Sequence, residues 1–177
     1  MNSDTWFDNY VPKFIFNDNN LTWKIDSKYD PLIAEYRKEV DFDFDIFIYT
    51  MLTWLNNKMP QFSQQHVLNM IFDYLDQAEP AEDTQIAIYG FLNYLTVNLQ
   101  TDVIDQLDHK LFKYPKKATL VEYESIADVY CNIVENAIAS SLGGDEELAI
   151  KYWQRFFSLR ENRPQLNIEF INNKHDS

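Results

Sequence analysis

The sequence predicts a mainly α protein, a compact antiparallel bundle of about seven helices with a small β-hairpin at its N-terminus. Three observations predict it. From Asp30 onward, apolar residues recur at the period of a helix, between residues that start and stop helices. The 177 residues include only 3 Gly and 6 Pro, too few for a sandwich or barrel of many short strands. Apolar residues make up 46% and aromatics 16%, enough to bury a core, so global disorder is excluded. The length suits one domain and no stretch has linker composition. Residues 1–177 are therefore read as a single helical domain, with 1–28 as a β appendage and 165–177 as a tail.

Near the N-terminus, Lys13 to Phe16 and Leu21 to Ile25 are rich in aromatic and β-branched residues and flank Asn17 to Asn20, the pattern of a hairpin. Trp6, Phe7 and Tyr10 precede any strong element and are expected to be open to a partner. Asp30 and Pro31 start the first helix, to about Val40. The second runs from Asp43 to Lys58 and stops ahead of Pro60. Ser63 caps the third, to Gln77. Its Val67, Leu68, Ile71, Phe72, Leu75 and Ala78 lie on one side, opposite Gln65, Asn69, Asp73 and Asp76.

The fourth helix, Asp83 to Gln100, is apolar nearly all round and belongs at the centre of the bundle. Thr101 caps a fifth, to Tyr114, with Asp102 in its first turn and Lys110 and Lys113 in its last, as the helix dipole prefers. The sixth spans Thr119 to Leu142, and Gly143 and Gly144 stop it. The seventh runs from Asp145 to about Glu161, ahead of Pro164. Gln165 to Ile171 is read as a short strand joining the hairpin or as a docked tail. Short links make the third and fourth helices, and the fifth and sixth, antiparallel neighbours.

A formal net charge of −13 disfavours nucleic acid and anionic membrane surfaces as partners. The uncharged run from Thr84 to Thr101 approaches membrane thickness as a helix, at about 27 Å. Its Gln85, Asn93, Asn98 and Gln100, and its acidic flanks, favour burial in a water-soluble bundle instead. One cysteine excludes an intramolecular disulfide framework, and Met1 to Tyr10 has no secretory h-region. A cytoplasmic location is expected. Asn20 to Thr22 then matches a glycosylation sequon by chance.

The charge is unevenly placed. Residues 1–58 are net −4, residues 59–109 net −8 and residues 110–177 net −1. The middle segment holds 8 acidic residues and no Lys or Arg. Asp73, Asp76, Glu79, Glu82 and Asp83 surround the turn between the third and fourth helices. Asp102, Asp105 and Asp108 recur every three residues, on one face of the fifth. Asp41, Asp43 and Asp45, interleaved with Phe42 and Phe44, make a third acidic spot. These eleven carboxylates are the candidate partner-binding residues, since such a field steers association with a basic protein. The competing reading is a solvated face kept for solubility. Spacing alone leaves open whether the acidic groups line one surface or lie at opposite ends.

No motif for catalysis, metal or cofactor stands out, and none of the three is expected. Asp41, Asp43 and Asp45 open like a calcium loop, but its sixth and twelfth positions are Ile46 and Leu52, not Gly and Glu. His66, His109 and His175 lack ligand spacing, and Cys131 has no Cys partner and sits among apolar neighbours as a buried residue. Glu124 and Asp128 lie one helical turn apart, a spacing that suits acid–base work or a wet helix face. Ser140 and Ser141 have no nucleophile-elbow setting, and three glycines cannot cradle a phosphate. Trp54, Trp153, Phe156 and Phe157 are the expected core anchors.

The basic-free stretch from Met59 to His109, the missing catalytic constellation and the acidic turn leading into an apolar helix at Ala81 to Leu92 carry a class-level resemblance. The chain resembles the small, acidic, mainly helical immunity proteins of bacterial toxin–immunity pairs, including those of contact-dependent growth inhibition. The resemblance implies binding to a cognate toxin, often a basic nuclease domain, and occlusion of its active site. It carries over no individual residue. The alternatives are a helical scaffold or adaptor, whose contacts are apolar and insensitive to salt, and a hydrolase-type enzyme using Glu124, Asp128 and His109 in a concave pocket.

Overall fold

The computed structural model describes residues 5–10 and 25–158. Seven α-helices occur among them: α1 Thr5–Tyr10, α2 Asp30–Glu39, α3 Phe44–Lys58, α4 Gln64–Gln77, α5 Thr84–Asn98, α6 Lys117–Leu142 and α7 Glu146–Phe157. A 3-10 turn, Ser27–Tyr29, leads into α2. The described residues are thus mainly α, as expected. The hairpin predicted around residues 17–20 and the tail predicted over 165–177 lie outside them.

The helix starts follow local chemistry. Asp43, Ser63, Asp83 and Asp145 each accept a hydrogen bond from a backbone N–H three residues on, at 2.9 to 3.1 Å. These caps satisfy donors that a helix N-terminus leaves open. Helix α6 ends at Gly143, and Gly144 follows at φ 85, a conformation other residues rarely adopt.

Two expectations are corrected. The first is the fifth helix: residues 99–116 form a loop closed by one antiparallel bridge, Ile104 to Leu111. Asp and backbone compete here. The Asp105 carboxylate accepts from the Leu107 N–H at 2.8 Å and the Asp108 carboxylate from the Lys110 N–H at 3.0 Å. Such local bonds stabilise turns at the expense of helix. His109 completes the turn at φ 61, a left-handed conformation in which His is enriched.

The second correction concerns Trp6, Phe7 and Tyr10. They sit on a helix that docks on the bundle, not on an open segment. Phe7 is fully buried with its ring 4.6 Å from Trp153, and the Trp6 indole donates to the Ser141 hydroxyl. Burial of the Phe7 ring stabilises the docked α1 by about 2 kcal/mol.

Helix α5 occupies the centre, packing against α1, α3, α4 and α6. It carries no Asp, Glu, Lys, Arg or His. The long α6 lies between α5 and α7. Trp54 of α3 stacks on Phe156 of α7, and the Trp153 indole donates to the buried Gln85 amide at 3.0 Å, so α7 closes over the core. Trp54, Trp153 and Phe156 are core residues and Phe157 is half-buried.

Helix α4 is buried on more sides than its sequence pattern implies. His66 and Asn69 are each only 1% exposed. His66 stacks on Phe112 at 4.7 Å and meets Phe62 and Tyr114 edge-on, and its Nε2 has no hydrogen-bond partner among the described residues. Burial holds this imidazole down, to about 4.

Two measurements test this packing. A Cβ at Gly90 stands 2.2 Å from the Tyr74 hydroxyl, which is buried and donates to the Ala87 carbonyl. Gly90→Ala is expected to destabilise by about 1–3 kcal/mol in urea unfolding, with part recovered by Tyr74→Phe in the same chain. Purely additive losses refute the contact. For His66, the unfolded chain takes up its proton near pH 6.5, while the folded chain resists until about 4. Its contribution is therefore complete above pH 6.5 and disappears as pH falls towards 4, a loss of about 2–3 kcal/mol. His66→Phe is expected to flatten the fall in unfolding midpoint across that window, and an unchanged slope refutes the assignment.

Candidate functional site

The eleven acidic candidates divide by burial. Asp83 and Asp105 are buried, and Asp73 is half-buried. Asp41, Asp43, Asp45, Asp76, Glu79, Glu82, Asp102 and Asp108 are exposed. Among the exposed ones, Asp43 caps α3, Asp108 closes a turn and Asp45 pairs with Arg37 at 2.8 Å. That ion pair is about half exposed on both sides, so it contributes well under about 1 kcal/mol. Asp41, Glu79, Glu82 and Asp102 make no hydrogen bond or ion pair among the described residues.

Tyrosine hydroxyls hold several carboxylates of the basic-free segment. Tyr29 donates to Asp105 at 2.6 Å, Tyr94 to Asp73 at 2.6 Å and Tyr36 to Asp76 at 2.8 Å. Hydrogen bonds to a charged acceptor are the stronger kind. They also keep the phenols neutral. Burial first, and then the facing carboxylate, pushes Tyr29 and Tyr94 far above the ordinary phenol range, and Tyr36 to about 12.

Asp105 is the anchor of the 99–116 loop. Burial pushes its carboxyl up, but the Tyr29 hydroxyl, the Leu107 and Asp108 backbone N–H groups and Lys28 together outweigh this and hold it below the usual range. Beside it, the Gln106 N–H donates to the Asn69 amide oxygen at 2.9 Å. Further along, the Val103 N–H donates to the Tyr114 hydroxyl, which itself donates to the Thr101 carbonyl. Asn69, placed by its spacing on the polar stripe of α4, is thus a buried clasp.

These bonds decide how the acidic groups lie. The Gln106 amide sits within hydrogen-bond reach of both Tyr36 and Asp76, so the loop abuts the end of α4. Burial raises Tyr114 first, followed by Asp102 and Asp73, and burial raises Tyr36 first, followed by Asp76 and Glu39. The last turns of α4, which carry Asp73 and Asp76, therefore adjoin the 99–116 loop. Tyr36 also borders a groove of about 170 Å³, lined by Glu39 at the end of α2, by Val40 and Phe42 after it, and by Leu75, Ala78 and Glu79 at the end of α4. Asp41 lies between two of its lining residues. Asp45 instead lines a separate depression with its partner Arg37.

Sequence reasoning also missed an apolar feature. Ile104, Leu107 and Leu111 are 50%, 42% and 62% exposed on the anchored loop. The sequence places them in a helix, where such residues are read as core. No group of three or more His, Cys, Asp or Glu among the described residues is placed to hold a metal. Cys131 is buried, donates to the Asn93 amide oxygen at 3.3 Å, and is pushed up to about 11, first by burial and then by Glu135 and Asp128. Such a thiol is a poor nucleophile. Glu124 accepts from Gln100 at 3.1 Å, while Asp128 and His109 are exposed. No helix among the described residues is long and apolar enough to cross a membrane.

Tyr29→Phe tests the anchor. It leaves the Asp105 carboxylate buried with its strongest partner gone, and is expected to cost about 1–3 kcal/mol. Amide exchange at residues 103–110 is expected to rise more than in α5. Equal protection of the loop in variant and parent refutes the anchor.

Comparison with protein-family models, with curated proteins and with solved structures finds no match for this chain.

Proposed function

We propose that this chain is an immunity protein that binds a cognate basic toxin domain, a nuclease, and occludes its active site through an acidic surface. One observation carries the reading. The segment from Met59 to His109 holds eight carboxylates and no Lys or Arg, and five of the eight are exposed on contiguous elements. A nuclease binds phosphate with a cationic surface, so an anionic face competes for the same groups. Charge concentrated in this way raises the rate of encounter with a cationic partner, and the effect falls with ionic strength. The mechanism is stoichiometric: occlusion needs no catalytic group.

A second reading, a helical scaffold or adaptor, draws on Ile104, Leu107 and Leu111. Three exposed apolar side chains on a fixed loop suit an apolar contact whose strength is indifferent to salt.

The experiment is co-expression with the C-terminal domain encoded by the gene immediately upstream, followed by nuclease assay of the purified pair. Inhibition at one-to-one stoichiometry is expected. Glu82→Lys with Asp102→Lys is expected to slow association about tenfold at low salt and to flatten its salt dependence. Ile104→Ser with Leu111→Ser is expected to leave the association rate unchanged. Undiminished nuclease activity, or an association rate indifferent to charge reversal, overturns the immunity reading. Loss of binding in the serine variant alone favours the adaptor.

A further inference from the structure

The groove beside Tyr36 has the form of a side-chain socket. Its floor is apolar and half-buried: Val40, Phe42, Leu75 and Ala78, with Tyr74 buried beneath. Its walls are already set. Tyr36 stacks on Phe72 at 4.8 Å with the rings 7° apart, and Phe42 meets Phe47 edge-on at 5.3 Å. The volume, about 170 Å³, is below the roughly 300–1,000 Å³ of small-molecule sites. It is comparable to an apolar cavity of about 150 Å³ that admits a benzene ring. One aliphatic or aromatic side chain therefore fits, and a cofactor does not.

The charge around the socket selects what carries that side chain. Among the described residues, no Lys or Arg lines it. Glu39 and Glu79 line it from different elements and are exposed, and the exposed Asp41, Asp76 and Glu82 each lie within three residues of a lining residue. A neutral apolar ligand gains nothing from these carboxylates, and an acidic one is repelled.

We propose that this groove seats a single leucine-like or aromatic side chain of the partner, flanked in the partner's sequence by Lys or Arg. The inference rests on the acidic-face reading and adds to it the point of insertion. The flanking cations set the rate of encounter, and the seated side chain sets the lifetime of the complex.

The test uses two synthetic peptides of equal charge. One has a central leucine between two arginine–lysine pairs, and the other has serine in its place. Titrations by calorimetry and by amide chemical shift, at about 50 mM salt, read both affinity and location. The leucine peptide is expected to bind about tenfold more tightly, with shifts concentrated at residues 39–42 and 74–81. Ala78→Phe fills the groove without changing charge and is expected to abolish the preference. Ala81→Phe, on the neighbouring lining residue, repeats the test if the first variant melts early. Glu79→Gln is expected to weaken both peptides. Equal affinity of the two peptides overturns the groove. If that equal binding is salt-sensitive and lost in Glu82→Lys with Asp102→Lys, the acidic-face reading stands without it. If neither peptide binds, both fall.

Discussion

Helix α5 has no charged side chain between Thr84 and Asn98, and a helix of that kind is stable only where other elements surround it. The arrangement of the bundle follows from this requirement. Helices α1, α3, α4 and α6 all pack on α5, and α7 closes over α6 with Trp153 bonded to Gln85 of α5. Gly90 lets α4 come close, because only hydrogen leaves room for the Tyr74 hydroxyl. With α5 enclosed, the surplus carboxylates are left to the chain on either side of it. They fall at the turn before α5 and in the loop after it, and the bonds of Gln106 to Asn69 and Asp76 fold that loop back against α4.

Phenols and an amide then organise the charge. A dense group of carboxylates repels itself and destabilises the fold. Tyr29, Tyr36 and Tyr94 each supply a donor to one of them, and Asn69 fixes the loop that carries Asp105. Some of the acidic residues therefore build the surface, and others constitute it. Asp83 and Asp105 are structural, while Asp41, Glu79, Glu82 and Asp102 are free of bonds among the described residues. A face kept only for solubility needs no such fixation, and this contrast motivates the functional reading.

Most helices were legible because their signals are local. Asp43, Ser63, Asp83 and Asp145 cap helices at the positions their sequence context indicates. On α6, helical spacing puts Tyr123, Ile126, Ala127, Tyr130, Val134 and Ile138 on one side and Glu124, Asp128, Asn132 and Glu135 on the other. Tyr123, Ala127 and Val134 are buried and Ile126, Tyr130 and Ile138 half-buried, while Asp128, Asn132 and Glu135 are exposed and Glu124 half-buried. Residues 101–114 misled for a physical reason. Their charges follow the dipole preference of a helix, but aspartates that bond their own backbone favour turns just as well, and the Tyr29 and Asn69 contacts tip the balance. Phe7 misled similarly, since six residues of helix give too little periodicity to reveal a buried face.

Periodicity and capping in the sequence by themselves determined that the chain is helical, where five of its helices begin, that α5 is central, and that the excess negative charge is concentrated around it. Those properties depend on neighbours within a few residues. Which carboxylates are buried, whether the acidic groups share a surface, and where that surface is indented were decided by tertiary structure alone. Each depends on a contact across the fold: Tyr29 with Asp105, Gln106 with Asn69 and Asp76, and the end of α2 against the end of α4. Residues that meet across dozens of positions leave no periodic trace in a single sequence, so a buried aspartate and an exposed one read alike until the chain is folded.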